Sequence, residues 1–333
     1  MGLEEGHGGV GAGGVGLSRA IAGNLMWRRT SLKTKLLLIL AAVFAVSTAT
    51  RYAFQYWVIQ PRFDTLEYQE ALRSGRRCVS ALRNELNHLH TTCGDWAVWD
   101  ETYQYVADRN ENYHQRNLYD SILEDLRLNV FCIYNLEGQL VWGRQVDADG
   151  TPTPIIEVPN DRLPLDDALN LRDAQTSDGV MGIKRTDAGP LLVVSRPILP
   201  SSEEGPTRGS LVMGRLLNST MVGQIAADTQ EPFRYISAAG DAPARAMNWL
   251  SANPDSLVAI DMSDPGYAIL DIHLTDITGS TAGILRAELP KHVSVQGRAI
   301  LHSVTAALIA TALLAMLAAS LLLNSTVLRG IRR

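Results

Sequence analysis

Two long apolar blocks near the ends of the chain limit what it can fold into more than any other feature. The first runs from Leu36 to about Val58, interrupted by Arg51, and the second from about Ala299 to Leu323. A helix rises about 1.5 Å per residue and bilayer hydrocarbon is about 30 Å thick, so about 20 residues cross it. Both blocks are long enough. Arg51 lies near one end of its block, where its stem can snorkel to the headgroups. Tyr52, Tyr56 and Trp57 suit an interfacial aromatic belt. A cleaved signal peptide is the alternative for the first block, since the apolar core after Lys33 and Lys35 has that size. The apolar character continues past Arg51 instead of stopping at a small-residue site, which favours an anchor.

The short flanks set an orientation. Residues 1–35 carry Arg19, Arg28, Arg29, Lys33 and Lys35, and the residues after Leu323 carry Arg329, Arg332 and Arg333 with no acid. Both ends are therefore expected in the cytoplasm. With those bases and the acids Glu4 and Glu5 set aside, residues 36–298 hold 22 bases against 33 acids, a net of −11. Residues 59–298 are then an acidic domain exported across the membrane, which in bacteria means a periplasmic domain on a two-pass inner-membrane protein. Residues 1–35 read as a Gly-rich cytoplasmic leader, in which Met26 directly before Trp27-Arg28-Arg29 is an alternative start. Residues 324–333 read as a cytoplasmic tail. The overall charge of −5 argues against a nucleic-acid partner, whose phosphates need concentrated Lys and Arg. The lipid bilayer is the expected partner.

Within the exported segment, residues from about Arg62 to Thr92 read as a long helix. Leu72, Val79, Leu82, Leu86, Leu89 and Cys93 form a narrow heptad-like seam. The seam packs either on the domain's own sheet or on a second copy of the chain. A helix of about 31 residues reaches roughly 45 Å. Next comes CGDWAVWDETYQYV, within the stretch from Tyr52 to Trp142 that holds 15 of the 21 aromatic residues. If Asp95 to Tyr105 is helical, Trp96, Trp99, Asp100 and Tyr103 share one face at i, i+3, i+4 and i+7. Rings and carboxylates so arranged either pack on a sheet and satisfy backbone donors, or wall a pocket for an amine or hydroxyl of a small ligand. Asp95, Trp96, Trp99, Asp100 and Tyr103 are thus the candidate ligand-binding residues.

Strand signals follow. Val130–Tyr134 and Gln139–Trp142 flank Asn135-Leu136-Glu137-Gly138, and Met181–Arg185 and Leu191–Pro197 flank a second Gly-containing turn. Ser210–Leu216 reads as a further strand and Ser219–Ala227 as a helix. Leu257–Ile260, Tyr267–Leu274 and Ala282–Leu289 form another strand set, without repeating the first module. The order predicts an α+β fold with antiparallel sheet.

The stretch Leu66 to Trp142, especially DWAVWDETYQYV and the hairpin LNVFCIYNLEGQLVWG, resembles the type-4 CHASE domain, a sensory input of bacterial receptors. The segment DIHLTDITGSTAGILRAELPKHVSVQG before the second apolar block is similar to the membrane-return segment of such receptors. The resemblance implies a PAS-like or Cache-like sensor with a long N-terminal helix between two transmembrane helices. It implies a small-molecule ligand, and an output that is a diguanylate cyclase, a cyclic di-GMP phosphodiesterase or a histidine kinase. The signature positions would be Asp95, Trp96, Trp99, Asp100 and Tyr103. The ten residues after Leu323 cannot form such an output, which needs at least about 100 residues of its own. The chain therefore reads as a non-enzymatic input module.

Three smaller patterns remain. His88, His90, Cys93 and Asp95 are metal-capable types within eight residues, but their spacing is not a recognised ligand set, and no metal or cofactor is expected. Of the three cysteines, Cys93 and Cys132 are the candidate intrachain pair, and Cys78 the candidate for a cross-link between subunits. Ser303, Ala307, Thr311, Ala315 and Ala319 recur every four residues, a spacing that lets two spans approach in a homodimer. The competing class is a membrane-anchored module that docks another exported protein. An exported enzyme is the weakest reading, because no nucleophile–base set stands out.

Overall fold

The computed structural model describes residues 32–174, 176–237 and 256–330. The Gly-rich leader to Ser31, the alternative start at Met26 and the last three residues of the tail lie outside the described residues. The chain divides into two compact units, one ending at Asp64 and resuming at Val293, the other covering Thr65–His292.

The first unit contains the apolar blocks. Helix α1 (Leu32–Phe54) passes through one π-turn, Gln55–Ile59, into α2 (Gln60–Ala97), and the last helix, α7, spans His292–Gly330. Thr34–Ala97 and His292–Leu322 each contain a stretch long and apolar enough to cross a membrane. Their side chains face outward: Leu36, Val46, Leu314 and Leu322 are half or more exposed. In this unit Phe63 packs so closely on Gly297 that a Cβ there would sit 2.5 Å from the ring. Only glycine permits that approach.

The second unit is α+β, as the sequence predicts. After α2 come three short helices, α3 (Asp100–Asp108), α4 (Glu111–Asn117) and α5 (Ile122–Asp125). Then β1 (Val130–Asn135), β2 (Leu140–Gln145), β3 (Val180–Thr186), β4 (Gly189–Pro197) and β5 (Gly209–Leu216) form a five-stranded antiparallel sheet in the order β2-β1-β5-β4-β3. The β1–β2 turn uses Gly138 at φ 75°, with its Cα packed under the Leu163 carbonyl. A residue with a Cβ would be strained there by both φ and space. Helix α6 (Ser219–Thr229) is capped by the Asn218 carboxamide, which accepts from the Met221 amide at 3.0 Å. It leads into a separate four-stranded sheet of β6 (Phe233–Ser237), β7 (Val258–Asp261), β8 (Tyr267–Thr275) and β9 (Thr281–Pro290), ordered β6-β9-β8-β7.

Helix α2 lines one face of both sheets. Cys78, Leu82, Leu89, Cys93 and Ala97 share a core with Phe131, Ile133, Val194 and Met213 of the first sheet and with Leu270, Ile272 and Leu285 of the second. Of the two readings of the heptad-like seam, the structure selects packing on the domain's own sheets. Gly75 lets β7 and β8 approach, since a Cβ would lie 2.9 Å from Val258 and 3.1 Å from Leu270. The sheets meet at β3, where the Ile277 amide donates to the Ile183 carbonyl at 2.7 Å and the Asp276 carboxylate accepts from the Arg185 amide.

The cysteine expectation is overturned. All three are free and fully buried. Strand alternation turns Val130, Cys132 and Tyr134 away from α2, while Cys93 faces the sheet and donates to the Leu211 carbonyl at 3.4 Å. The two thiols therefore lie on opposite faces of one sheet. Cys78, with no exposed surface, is out of reach of a second subunit.

Candidate functional site

The aromatic stripe does not form one helix face. Helix α2 ends at Ala97, and Val98 pairs in parallel with Leu199, whose amide donates to the Ala97 carbonyl at 3.1 Å. Trp99 is extended (φ −147°, ψ 129°), and a new helix starts at Asp100. Two β-like residues in place of a turn rotate Asp100 and Tyr103 out of line with Trp96. The predicted helix over Asp95–Tyr105 is thus two helices, because the Val98–Leu199 bridge outweighs local helical periodicity.

The predicted residues then do two separate jobs. Trp96 meets Phe131 edge-on with centroids 5.3 Å apart, and Phe131 meets Trp142 in the same way. Trp96 also touches Trp99 edge-on at 6.1 Å, Trp99 leans on Tyr113 at 5.7 Å, and Tyr113 stacks on Tyr105 at 4.6 Å. Six rings run in series from Trp142 on β2, through Tyr113 on α4, to Tyr105 on α3. Inside this series Thr102 and the Tyr113 hydroxyl share a 2.8 Å hydrogen bond, and burial pushes that phenol up to about 12. Asp100 and Tyr103 face the β4–β5 loop instead. The Asp100 carboxylate accepts from the Ser201 amide at 2.9 Å, and its own amide donates to the Ser201 hydroxyl at 3.1 Å. The Tyr103 hydroxyl donates to the Pro206 carbonyl at 3.1 Å, and the Arg208 guanidinium stacks 3.9 Å from the Tyr103 ring centroid. Asp95 is exposed at the end of α2.

The metal-capable residues are likewise split. His88 lines a groove against α6, whereas His90 and Cys93 face the first sheet. Among the described residues no three His, Cys, Asp or Glu side chains are grouped as metal ligands.

That groove was not apparent from the sequence. It has a volume of about 560 Å³ between α2 and α6. Arg76, Ser80, Asn84 and His88 line it at strict four-residue spacing on α2, with Met221, Gln224, Ile225 and Asp228 opposite on α6. Its ends are pinned by ion pairs: Arg77 with Glu231 at 3.4 Å and Arg215 with Glu85 at 2.6 Å. Ser74 adds a 2.9 Å bond to Glu231. The groove offers a guanidinium, an amide, an imidazole and a carboxylate above an apolar floor, a set suited to a small polar molecule. The polar i, i+4 row opposite the leucine seam is the signal that would have found it.

Residues 81–236 match the CHASE4 domain family. A curated relative, the methanogenesis regulatory histidine kinase FilI of Methanothrix harundinacea, is 28% identical over 219 residues, which are 65% of this chain and 24% of that protein. The chain thus spans about a quarter of the length of the curated relative it matches. Among solved structures, the extracellular domain of a protein named as a histidine kinase is 13% identical with a TM-score of 0.45, covering 70% of this chain and 98% of that one. The sensor domain of the Vibrio cholerae histidine kinase DctB is 13% identical with a TM-score of 0.38, covering 71% and 99%.

Proposed function

We propose, from the match of residues 81–236 to the CHASE4 domain family, that this chain is the exported sensory input of a membrane receptor. The observation that carries the reading is the position of this domain in the chain, between two helices whose apolar side chains face outward. Such surface is what a bilayer covers. The bases flanking both apolar blocks and the acidic residues between them support an arrangement with both termini in the cytoplasm and residues 59–298 outside it.

In this reading a small polar ligand occupies the groove between α2 and α6. Asp95, Trp96, Trp99, Asp100 and Tyr103 belong to the same response, acting through the α2–α3 junction, which Trp96 holds against the first sheet and Asp100 and Tyr103 hold against the β4–β5 loop. Ligand shifts an equilibrium between two arrangements of α2 only by its differential affinity, and full switching needs roughly a 10⁴-fold preference. The chain works as a homodimer and passes the signal to a histidine kinase or a cyclic di-GMP enzyme, the former being the kind named in the Methanothrix relative.

The test uses the full chain in lipid nanodiscs, melted in the presence of amino acids, dicarboxylates and polyamines, alongside Asn84→Leu and Arg76→Ala variants. The reading expects at least one compound to raise the melting temperature of the wild type, and both groove variants to lose that rise. A rise of equal size in both variants would remove the groove from the account.

A further inference from the structure

His90 lies on α2 one helical turn before Gly94, on the side that meets the first sheet. Opposite it, Arg196 of β4 passes over Gly94, where a Cβ would sit 3.5 Å from the guanidinium carbon. The Arg196 Nη1 atom is 2.7 Å from His90 Nε2. The same Nη1 lies 3.4 Å from His90 Nδ1, so the guanidinium rests against both ring nitrogens, a contact that either neutral tautomer can make. The Arg196 Nε atom is buried without an acceptor, and among the described residues no carboxylate pairs with this guanidinium. The contact is therefore a guanidinium laid against an imidazole at the seam between α2 and the sheet.

We propose that the His90–Arg196 contact is a proton-sensitive latch: a proton taken from solvent onto the neutral His90 ring sets two cations in contact and loosens the C-terminal end of α2 from the first sheet. The charged groups facing His90 are Arg196 from β4 and Asp178 from the segment ahead of β3. On α2 itself the nearest titratable group is the Cys93 thiol one turn away, which burial pushes up, while His88 faces the groove. Burial and then Arg196 hold the imidazole below its ordinary value, and Asp178 opposes them. The sign follows: the latch is closed above the ordinary imidazole value and its contribution is lost as pH falls below it. This property of the seam stands independently of what the domain binds.

Cys93 reports the seam directly, because it is buried there, and Cys132 on the far face of the same sheet is an internal reference. The full chain in nanodiscs is labelled with dithiodipyridine, which reacts with thiols in acid, at about pH 7.5 and about pH 5, on either side of the ordinary imidazole value. Labelled peptides are then quantified by mass spectrometry. The latch predicts that the Cys93:Cys132 labelling ratio rises several-fold on acidification of the wild type and stays flat in His90→Gln. In Asp178→Asn, an exposed position, the rise moves to lower pH. An unchanged ratio in the wild type, or an equal rise in His90→Gln, overturns the proposal. Should His90→Gln open all three thiols at the higher pH, Asp178→Asn decides: a displaced midpoint supports the latch and an unmoved one refutes it.

Discussion

The two sheets of the sheet-bearing unit rest on the same helix yet differ on the faces turned away from it. In the first sheet that outer face is apolar: Val130, Cys132, Tyr134, Leu191, Val193 and Val212 pack under Ile155, Val158, Leu163 and Leu169 of the segment between β2 and β3. The polar atoms of this cover are met from below. The Tyr134 hydroxyl donates to the Pro159 carbonyl, and the Ser195 hydroxyl to the Leu169 carbonyl, each at 2.6 Å. Gln145 serves both directions, donating to the Val158 carbonyl and accepting from the Ile155 amide. In the second sheet the outer face carries charge. Arg286 makes two 2.7 Å bonds to Asp271 directly across from it, and Arg234 pairs with Glu288. A strand buried on both faces needs an unbroken apolar run, and one with a polar outer face alternates. Thus Leu191-Leu192-Val193-Val194 reads as continuous, whereas Leu270-Asp271-Ile272 alternates.

The second sheet should be the easier of the two to destabilise. Arg286→Ala leaves Asp271 buried and unpaired, and is expected to cost about 3–5 kcal/mol in the urea unfolding transition of the full chain. The double variant Arg286→Leu/Asp271→Leu should recover most of that loss. Equal losses for the single and double variants would show that the pair is not what holds this face. For the first sheet, Leu191→Ala removes a side chain with no exposed surface and should cost roughly 3 kcal/mol in the same assay.

A smaller effect sharpens the contrast. Tyr134→Phe deletes one bond to the covering segment, and should cost on the order of 1 kcal/mol. It should also speed proteolysis within residues 146–179, leaving cleavage elsewhere unchanged. The smallest effect concerns the point where the sheets meet. Burial raises the Asp276 carboxyl, but the Arg185 amide and the Thr278 amide at 2.7 Å outweigh it and hold the group below the usual carboxylate range. Its contribution is therefore present above the unfolded value of about 3.9 and lost as pH falls through the lower folded value. Asp276→Asn should flatten the acid limb of a melting-temperature profile in that window. A profile unchanged in slope would assign the acid limb to other groups.

Much of this architecture is legible in the residues. Alternation and turn glycines give the β1–β2 and β3–β4 hairpins to within three residues, because both turns are local and set by Gly138 and Gly189. The split of the aromatic stripe is not legible. It depends on Val98 meeting Leu199, a hundred positions away, and helical spacing carries no trace of that bridge. The same limit hid the second sheet as a separate sheet and the face occupied by Cys132, since both follow from which strands pair. Among the candidate residues, Asp100 and Tyr103 are ordinary in type, and their role appears only once the β4–β5 loop lies beside them. The groove was within reach, because Arg76, Ser80, Asn84 and His88 mark a polar row opposite the seam, but it becomes a cavity only when α6 is laid along it.

The account depends on the sheet-bearing unit lying across the membrane from both termini. Alkaline phosphatase or green fluorescent protein inserted after Glu204, in the exposed β4–β5 loop, reads this directly in bacterial cells. The account predicts active phosphatase and no fluorescence, with the opposite pattern for fusions at the C-terminus. Fluorescent, phosphatase-inactive insertions at Glu204 would contradict it.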